Sequence, residues 1–183
     1  MTRLKAVDPA TATGQAKELL GAVNAALGIT PNMMRTMANS PAVLEGYLNF
    51  SGALVKGKLD AKLRELIAIT VAQTNSCEYC LSAHTFLGKH VGLNDIELTS
   101  AGRAGSDNPK VEAALTFAQQ LVVRRGELTD ADIARVRKAG FDDGEISEIV
   151  ANVALNIFTN YFNHVAQTEV DFPKVAPLHR KVA

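Results

Sequence analysis

No tryptophan occurs in this chain, cysteine occurs only twice, and aromatic residues make up 5% of its 183 positions. Charge of one sign is also missing: 19 Lys and Arg balance 19 Asp and Glu, and the sequence pI is about 6.9, which removes the electrostatic case for a nucleic-acid partner. Long apolar runs are absent too. The opening MTRLKAVDPATATGQ has no apolar stretch of signal-peptide length, and no run elsewhere approaches the length needed to span a bilayer. The expectation is a cytoplasmic protein without a membrane partner, in which two cysteines point to redox chemistry or metal binding more than to a static crosslink. Strand patterning, low-complexity segments and internal repeats are lacking as well, and the length suits one domain spanning 1–183.

What is present reads as helix almost throughout. Thr30 with Pro31, Ser40 with Pro41 and Asn108 with Pro109 each offer an N-cap followed by proline at the first helical position. Asn94 with Glu97, Thr129 with Asp132 and Asp142 with Glu145 have the spacing of a capping box, while Gly28, Gly57, Gly92 and Gly140 stand where helices should stop. These signals predict about nine helices, near 13–27, 31–38, 41–55, 60–74, 76–90, 94–101, 109–125, 129–138 and 143–166. The fold class is all-α. GRAGSDNP, 102 to 109, is the clearest loop, and the tail after Pro173 is expected to wrap a surface or a neighbouring subunit.

Both cysteines fall in NSCEYCLSAH, residues 75 to 84. With Ser76 as cap and Cys77 as the first helical residue, Cys77, Cys80 and His84 share one helical face. Unpaired N–H groups and the helix dipole in the first turn are expected to acidify both thiols. Cys80 and His84 are adjacent at i, i+4, whereas Cys77 lies two turns from His84. Lowering a thiol pKa from about 8.5 to about 7 raises the thiolate fraction at neutral pH roughly fifteenfold, part of which is given back as weaker nucleophilicity. A positioned proton donor contributes on the order of a hundredfold when a peroxide O–O bond breaks. The cysteine nearest the histidine is therefore assigned as nucleophile, Cys80, and Cys77 as the resolving thiol. Glu65 lies in the apolar helix LDAKLRELIAITVAQTN, and a break at Asn75 and Ser76 would fold it back towards His84 as the end of a proton relay. A surface ion pair with Lys62 or Arg64 is its plainer alternative.

The string Glu65-x11-Cys77-x2-Cys80-x3-His84 resembles the active-site signature of the alkylhydroperoxidase AhpD-like branch of the carboxymuconolactone decarboxylase family. CEYCLSAH is similar to the wording of its peroxidase-related members. Residues 41 to 125 resemble the family core; the N-terminal helices of 1–40 and the segment 126–183, through NYFNHVAQTEVDFP, resemble the longer peroxidase-related subgroup. The resemblance implies an AhpD-like helical domain that forms trimers, hexamers or related homo-oligomers. It also implies a peroxidatic Cys80, a resolving Cys77, a proton relay through His84 and Glu65, an organic hydroperoxide as substrate and a dithiol reductant such as a lipoyl-bearing protein. No cofactor or metal is implied. The family's best-studied hydroperoxidases carry histidine between the cysteines where this chain has Tyr79, which removes one possible proton carrier.

Other readings stand beside this one. Zinc ligation by Cys77, Cys80 and His84 lacks the fourth ligand of a structural site. A decarboxylase or lactone-processing lyase would not need a cysteine pair, and a redox sensor or thiol-exchange protein would use the same disulfide without turnover. His90 reads as a cation at a helix C-terminus. In EIVANVALNIFTNYFNHVAQTEV, Asn152, Asn156, Asn160 and His164 recur every four residues along an apolar helix, a seam whose plain explanation is the satisfaction of buried groups. Its functional reading places Asn160 and His164 in the wall of the redox pocket or its intersubunit wall, with Tyr79 also in the pocket. Ile157, Phe158, Tyr161 and Phe162 surround the same helix and suggest a subunit interface.

Overall fold

The computed structural model describes residues 2–178, which contain nine α-helices and no strand. In chain order they are α1 (Gly14–Leu27), α2 (Asn32–Met37), α3 (Pro41–Leu54), α4 (Ala61–Thr74), α5 (Glu78–His90), α6 (Asp95–Ala101), α7 (Pro109–Val123), α8 (Asp130–Lys138) and α9 (Asp143–Ala166). Every expected helix is found within a few residues of its predicted ends. Among the described residues no helix is long and apolar enough to cross a membrane.

Side-chain caps set most of these boundaries. Asn94 with Glu97, Thr129 with Asp132 and Asp142 with Glu145 form reciprocal capping boxes, each satisfying backbone donors that would otherwise lack partners at a helix start. Asp60 caps α4 by accepting from the Leu63 N–H, and Asn108 caps α7 ahead of Pro109. The Thr30–Pro31 expectation needs correction: α2 begins at Asn32, so Pro31 itself occupies the N-cap position in extended geometry. Gly57 has a different purpose from stopping a helix. A Cβ there would collide with the Glu148 carboxylate, which crosses from α9 to accept from the Lys58 and Leu59 N–H groups at 2.9 and 3.0 Å.

α4 is the central element, packed against α5, α6, α7 and α9. Its residues 66–73 are buried without interruption, the mark of a helix enclosed on every side. Thr70 survives there because its hydroxyl lies 2.8 Å from the Ala101 carbonyl and 3.0 Å from that of Leu66. α9, 24 residues and about 36 Å long, runs past α3, α4, α5 and α7 and presents its buried amides to the start of α5.

Both ends of the chain strap this core. Near the N-terminus, the Arg3 N–H donates to the Ala166 carbonyl and the Val7 N–H to that of Arg35. At the other end Asp171 accepts from the Asn32 N–H at 2.7 Å, the Val175 N–H donates to Ser82 Oγ, and the Leu178 N–H donates to Gln73 Oε1. The tail therefore wraps its own subunit as far as residue 178; the rest of that expectation lies outside the described residues. Replacing Asp142 with alanine removes the α9 capping box and is expected to cost about 1 kcal/mol, read as a lower urea midpoint with an unchanged slope.

Candidate functional site

The site begins with the reversal between α4 and α5. Asn75 closes α4, Ser76 adopts a left-handed φ of 58°, and the Cys77 N–H returns to the Ala72 carbonyl at 2.8 Å. Cys77 is thus the N-cap of α5, not its first helical residue, and Ser76 is not the cap. The Cys77 sulfur turns over the first turn, accepts from the Cys80 N–H at 3.4 Å and lies 2.7 Å from the Cys80 sulfur. Both cysteines are free thiols, each 2% exposed.

This contact makes the two thiols unequal, contrary to the expectation that both are acidified. Burial alone would raise the Cys80 pKa, but hydrogen bonding from Cys77, the charge of His84 and the amides of Asn163 and Asn160 prevail and lower it to about 7. Cys77 moves the other way, pushed up first by its hydrogen bond to Cys80 and then by burial. The 2.7 Å contact lets Cys77 donate to Cys80, which favours the proton on Cys77 and the charge on Cys80.

Glu65 projects from α4 and His84 from α5, and their side chains meet with Nδ1 and Oε2 2.8 Å apart. Burial opposes the imidazolium, yet the charge and hydrogen bond of Glu65 outweigh it and raise the His84 pKa. Cys80 and the Asn156 amide act in the same direction. Glu65 therefore pairs with His84 and not with Lys62 or Arg64. Tyr47, which sequence reasoning missed, also faces this group: burial first, then the charges of Cys80 and Glu65, push its hydroxyl up to about 12.

α9 supplies the far wall. Asn163 Nδ2 donates to Cys80 Sγ at 3.3 Å and to Met33 Sδ at 3.3 Å, and Asn75 donates to Asn160 Oδ1 at 2.9 Å. Asn160 is fully buried, and its Nδ2 has no hydrogen-bond partner of ordinary geometry. A buried donor left in that condition costs about 1–3 kcal/mol, so its orientation towards the Cys80 charge is the compensation the surroundings offer. The other end of the predicted seam does not reach the cavity of this subunit. His164 is exposed, lies outside the cavity wall, and meets the Asn75 carbonyl at 3.1 Å. At about 100° per residue, each four-residue step drifts about 40° around a helix, which carries position 164 about 120° from position 152; Asn163 returns to within about 20° of it. The eleven-residue spacing from Asn152 to Asn163 is the signal that a strict four-residue reading passes over.

A cavity of about 490 Å³ opens onto Cys80 and His84. Its wall includes Glu65, Tyr47, Tyr79, Asn156 and Phe172, while Cys77 and Asn160 stand behind it. Tyr79 lines this space as expected, although its oxygen is engaged by the Met33 N–H at 3.1 Å and its ring packs edge-on against Phe172. Burial raises its pKa above the ordinary value. Among the described residues no group of three or more His, Cys, Asp or Glu is arranged to hold a metal ion.

Residues 41–120 match the profile of the carboxymuconolactone decarboxylase family. An uncharacterised protein of Haemophilus influenzae is 51% identical over 45 residues, covering 24% of this chain and only 40% of that relative's length. The fold is similar to the alkylhydroperoxidase AhpD core of a peroxidase-related protein from Ralstonia eutropha JMP134, with a TM-score of 0.84 and 22% identity over 93% of this chain and 92% of the other. The debrominase Bmp8, solved as a cysteine-to-alanine variant with 2,3,4-tribromopyrrole, has a TM-score of 0.80 and 20% identity over 93% and 92% of the two chains.

The lowered Cys80 pKa makes its thiolate fraction climb through neutrality, because the group loses its proton at lower pH than an ordinary cysteine. Iodoacetamide labelling of Cys80, followed by peptide mass spectrometry across pH, is expected to reach half its limiting rate near pH 7. Asn163→Ala removes a donor to the thiolate and should move that midpoint up by roughly one unit. A wild-type midpoint above 8, or no movement in the variant, would contradict this electrostatic arrangement.

Proposed function

We propose that the AhpD-like fold here, whose residues 41–120 match the carboxymuconolactone decarboxylase family profile, serves as a thiol-dependent peroxidase for organic hydroperoxides. The observation that carries this reading is the 2.7 Å contact between two sulfurs of opposite acidity, with the acidic one on a cavity wall beside an ion-paired histidine. The Cys80 thiolate attacks the terminal peroxide oxygen, the O–O bond breaks, and the departing alkoxide takes a proton from His84 to leave as alcohol. Cys80 is then a sulfenic acid. The Cys77 sulfur attacks it, the S–O bond breaks, and hydroxide leaves as water with the Cys77 proton. An external dithiol such as a lipoyl group reduces the Cys77–Cys80 disulfide by exchange, becoming a disulfide itself. Glu65 keeps His84 charged for the first step.

A second reading uses the same electrons. A dithiol supplies the two that convert a carbon–halogen bond to carbon–hydrogen and halide, and the aromatic-lined cavity together with the likeness to a debrominase favours testing it. Bromide release from a bromopyrrole in the presence of dithiol would select this reaction over peroxide reduction. A redox sensor would show neither turnover, and a lyase would retain activity without the cysteines.

Self-association belongs to the same proposal. Val150, Ala154, Phe158, Tyr161 and Val165 form one exposed stripe along α9, while Ile157 and Phe162 turn inward against the core. This differs from an apolar surface all around the helix and narrows the expected subunit contact to a single face. The protein is expected to sediment as a trimer or larger at micromolar concentration, and Tyr161→Glu to shift it towards monomer.

For the peroxidase, cumene hydroperoxide consumption with dihydrolipoamide is expected to fall at least about a thousandfold in Cys80→Ser. Cys77→Ser should complete one turnover and accumulate a sulfenic acid trapped by dimedone. Persistent turnover in Cys80→Ser would sink the assignment of the attacking sulfur.

A further inference from the structure

The cavity is built for more than a peroxide group. Hydrogen peroxide is small and polar throughout and gains nothing from an apolar wall, yet Leu27, Ile29, Met33, Met34, Leu54 and Phe86 all face this space. Around it four large aliphatic side chains remain substantially exposed: Leu27 at 50%, Ile29 at 48%, Val55 at 59% and Leu87 at 37%. Such a contiguous apolar rim beside a cavity of this size marks a ligand route.

The charges on the wall are uneven. Glu65 is taken up by His84, leaving Arg64 in the first turn of α4 with no carboxylate at ion-pair distance among the described residues. One guanidinium N–H of Arg64 donates to the Leu59 carbonyl, which anchors the side chain and leaves the rest of its five-donor fork for another acceptor. His90, the third basic residue on the wall beside Arg64 and the paired His84, is engaged through Nδ1 with the Phe86 carbonyl at 2.9 Å. An anchored, half-buried guanidinium beside apolar walls suits a carboxylate attached to a hydrocarbon body.

We infer that this cavity takes an amphipathic anion, with its apolar body running towards Cys80 and its carboxylate held by Arg64. In the peroxidase reading, on which this step rests for its chemistry, the substrate class is a carboxylate-bearing lipid hydroperoxide. Binding itself is independent of turnover and is tested separately.

The probe is dodecanoate, which carries no peroxide, titrated by calorimetry into the wild-type protein below its micelle concentration. It is expected to bind roughly tenfold tighter than 1-dodecanol and dodecyltrimethylammonium, and at least about a hundredfold tighter than hexanoate, since each buried methylene contributes roughly fourfold. Arg64→Met should remove the preference over dodecanol without weakening dodecanol, its folding checked by circular dichroism. Equal binding of dodecanoate, dodecanol and the cation in wild type would overturn the inference without any variant. So would an unchanged preference in folded Arg64→Met. In the turnover assay, the same variant should raise KM for a fatty-acid hydroperoxide roughly tenfold more than it raises KM for cumene hydroperoxide. Selective dodecanoate binding without any peroxide turnover would reject the peroxidase reading and retain the anion site; turnover without that selectivity would do the reverse.

Discussion

A left-handed residue at position 76 lets the chain reverse in three residues and lays α5 against α4. That reversal places Cys77 where its sulfur caps the new helix, and the cap geometry brings it to 2.7 Å from Cys80. The same antiparallel pairing brings residues 65 and 84, nineteen apart in sequence, into one ion pair. A longer connection would permit other registers between the helices. With this one, the histidine base, its carboxylate and both sulfurs are fixed together by backbone conformation.

The burial of this group explains its asymmetry. Desolvation by itself raises the pKa of any thiol, so a charged Cys80 requires donors arranged in advance. They come from three sources: Cys77 at the α5 cap, His84 one turn beyond Cys80, and the α9 amides. The same contact pushes the Cys77 pKa up while it helps to lower that of Cys80. In the proposed cycle, this keeps the resolving sulfur protonated until its neighbour is oxidised and ceases to be a strong acceptor.

Helix positions were legible because their caps are local: the capping boxes at 94, 129 and 142 each close within four residues and need no tertiary information. The motif's shared face was legible for the same reason. The direction of each thiol's pKa shift was not, because a sum over one helix counts the dipole for both and omits the α9 amides and the proton between the sulfurs. A four-residue repeat read as one face puts His164 beside the pocket, but the drift per step accumulates along a helix of 24 residues and carries it out of the cavity wall. Arg64 and Tyr47 left no signal beyond their residue types, since their common cavity is assembled from helices far apart in sequence.

Tyr79 bears on how protons reach this site. In the hydroperoxidases that the motif resembles, the position between the cysteines is a histidine, and tyrosine is the candidate to replace that proton carrier. Here its oxygen already accepts from the Met33 N–H and interacts with Asp171, whose carboxylate also binds the Asn32 N–H. Burial holds the phenol in its neutral form well beyond neutral pH. The hydroxyl joins α5 to α2 and faces the Asp171 carboxylate of the C-terminal strap, and the ring packs edge-on against Phe172 in the cavity wall. In the proposed cycle proton delivery consequently falls to His84 alone. The residue that departs from the hydroperoxidase pattern shapes the cavity, and the proposed cycle assigns its acid–base work to the Glu65–His84 pair.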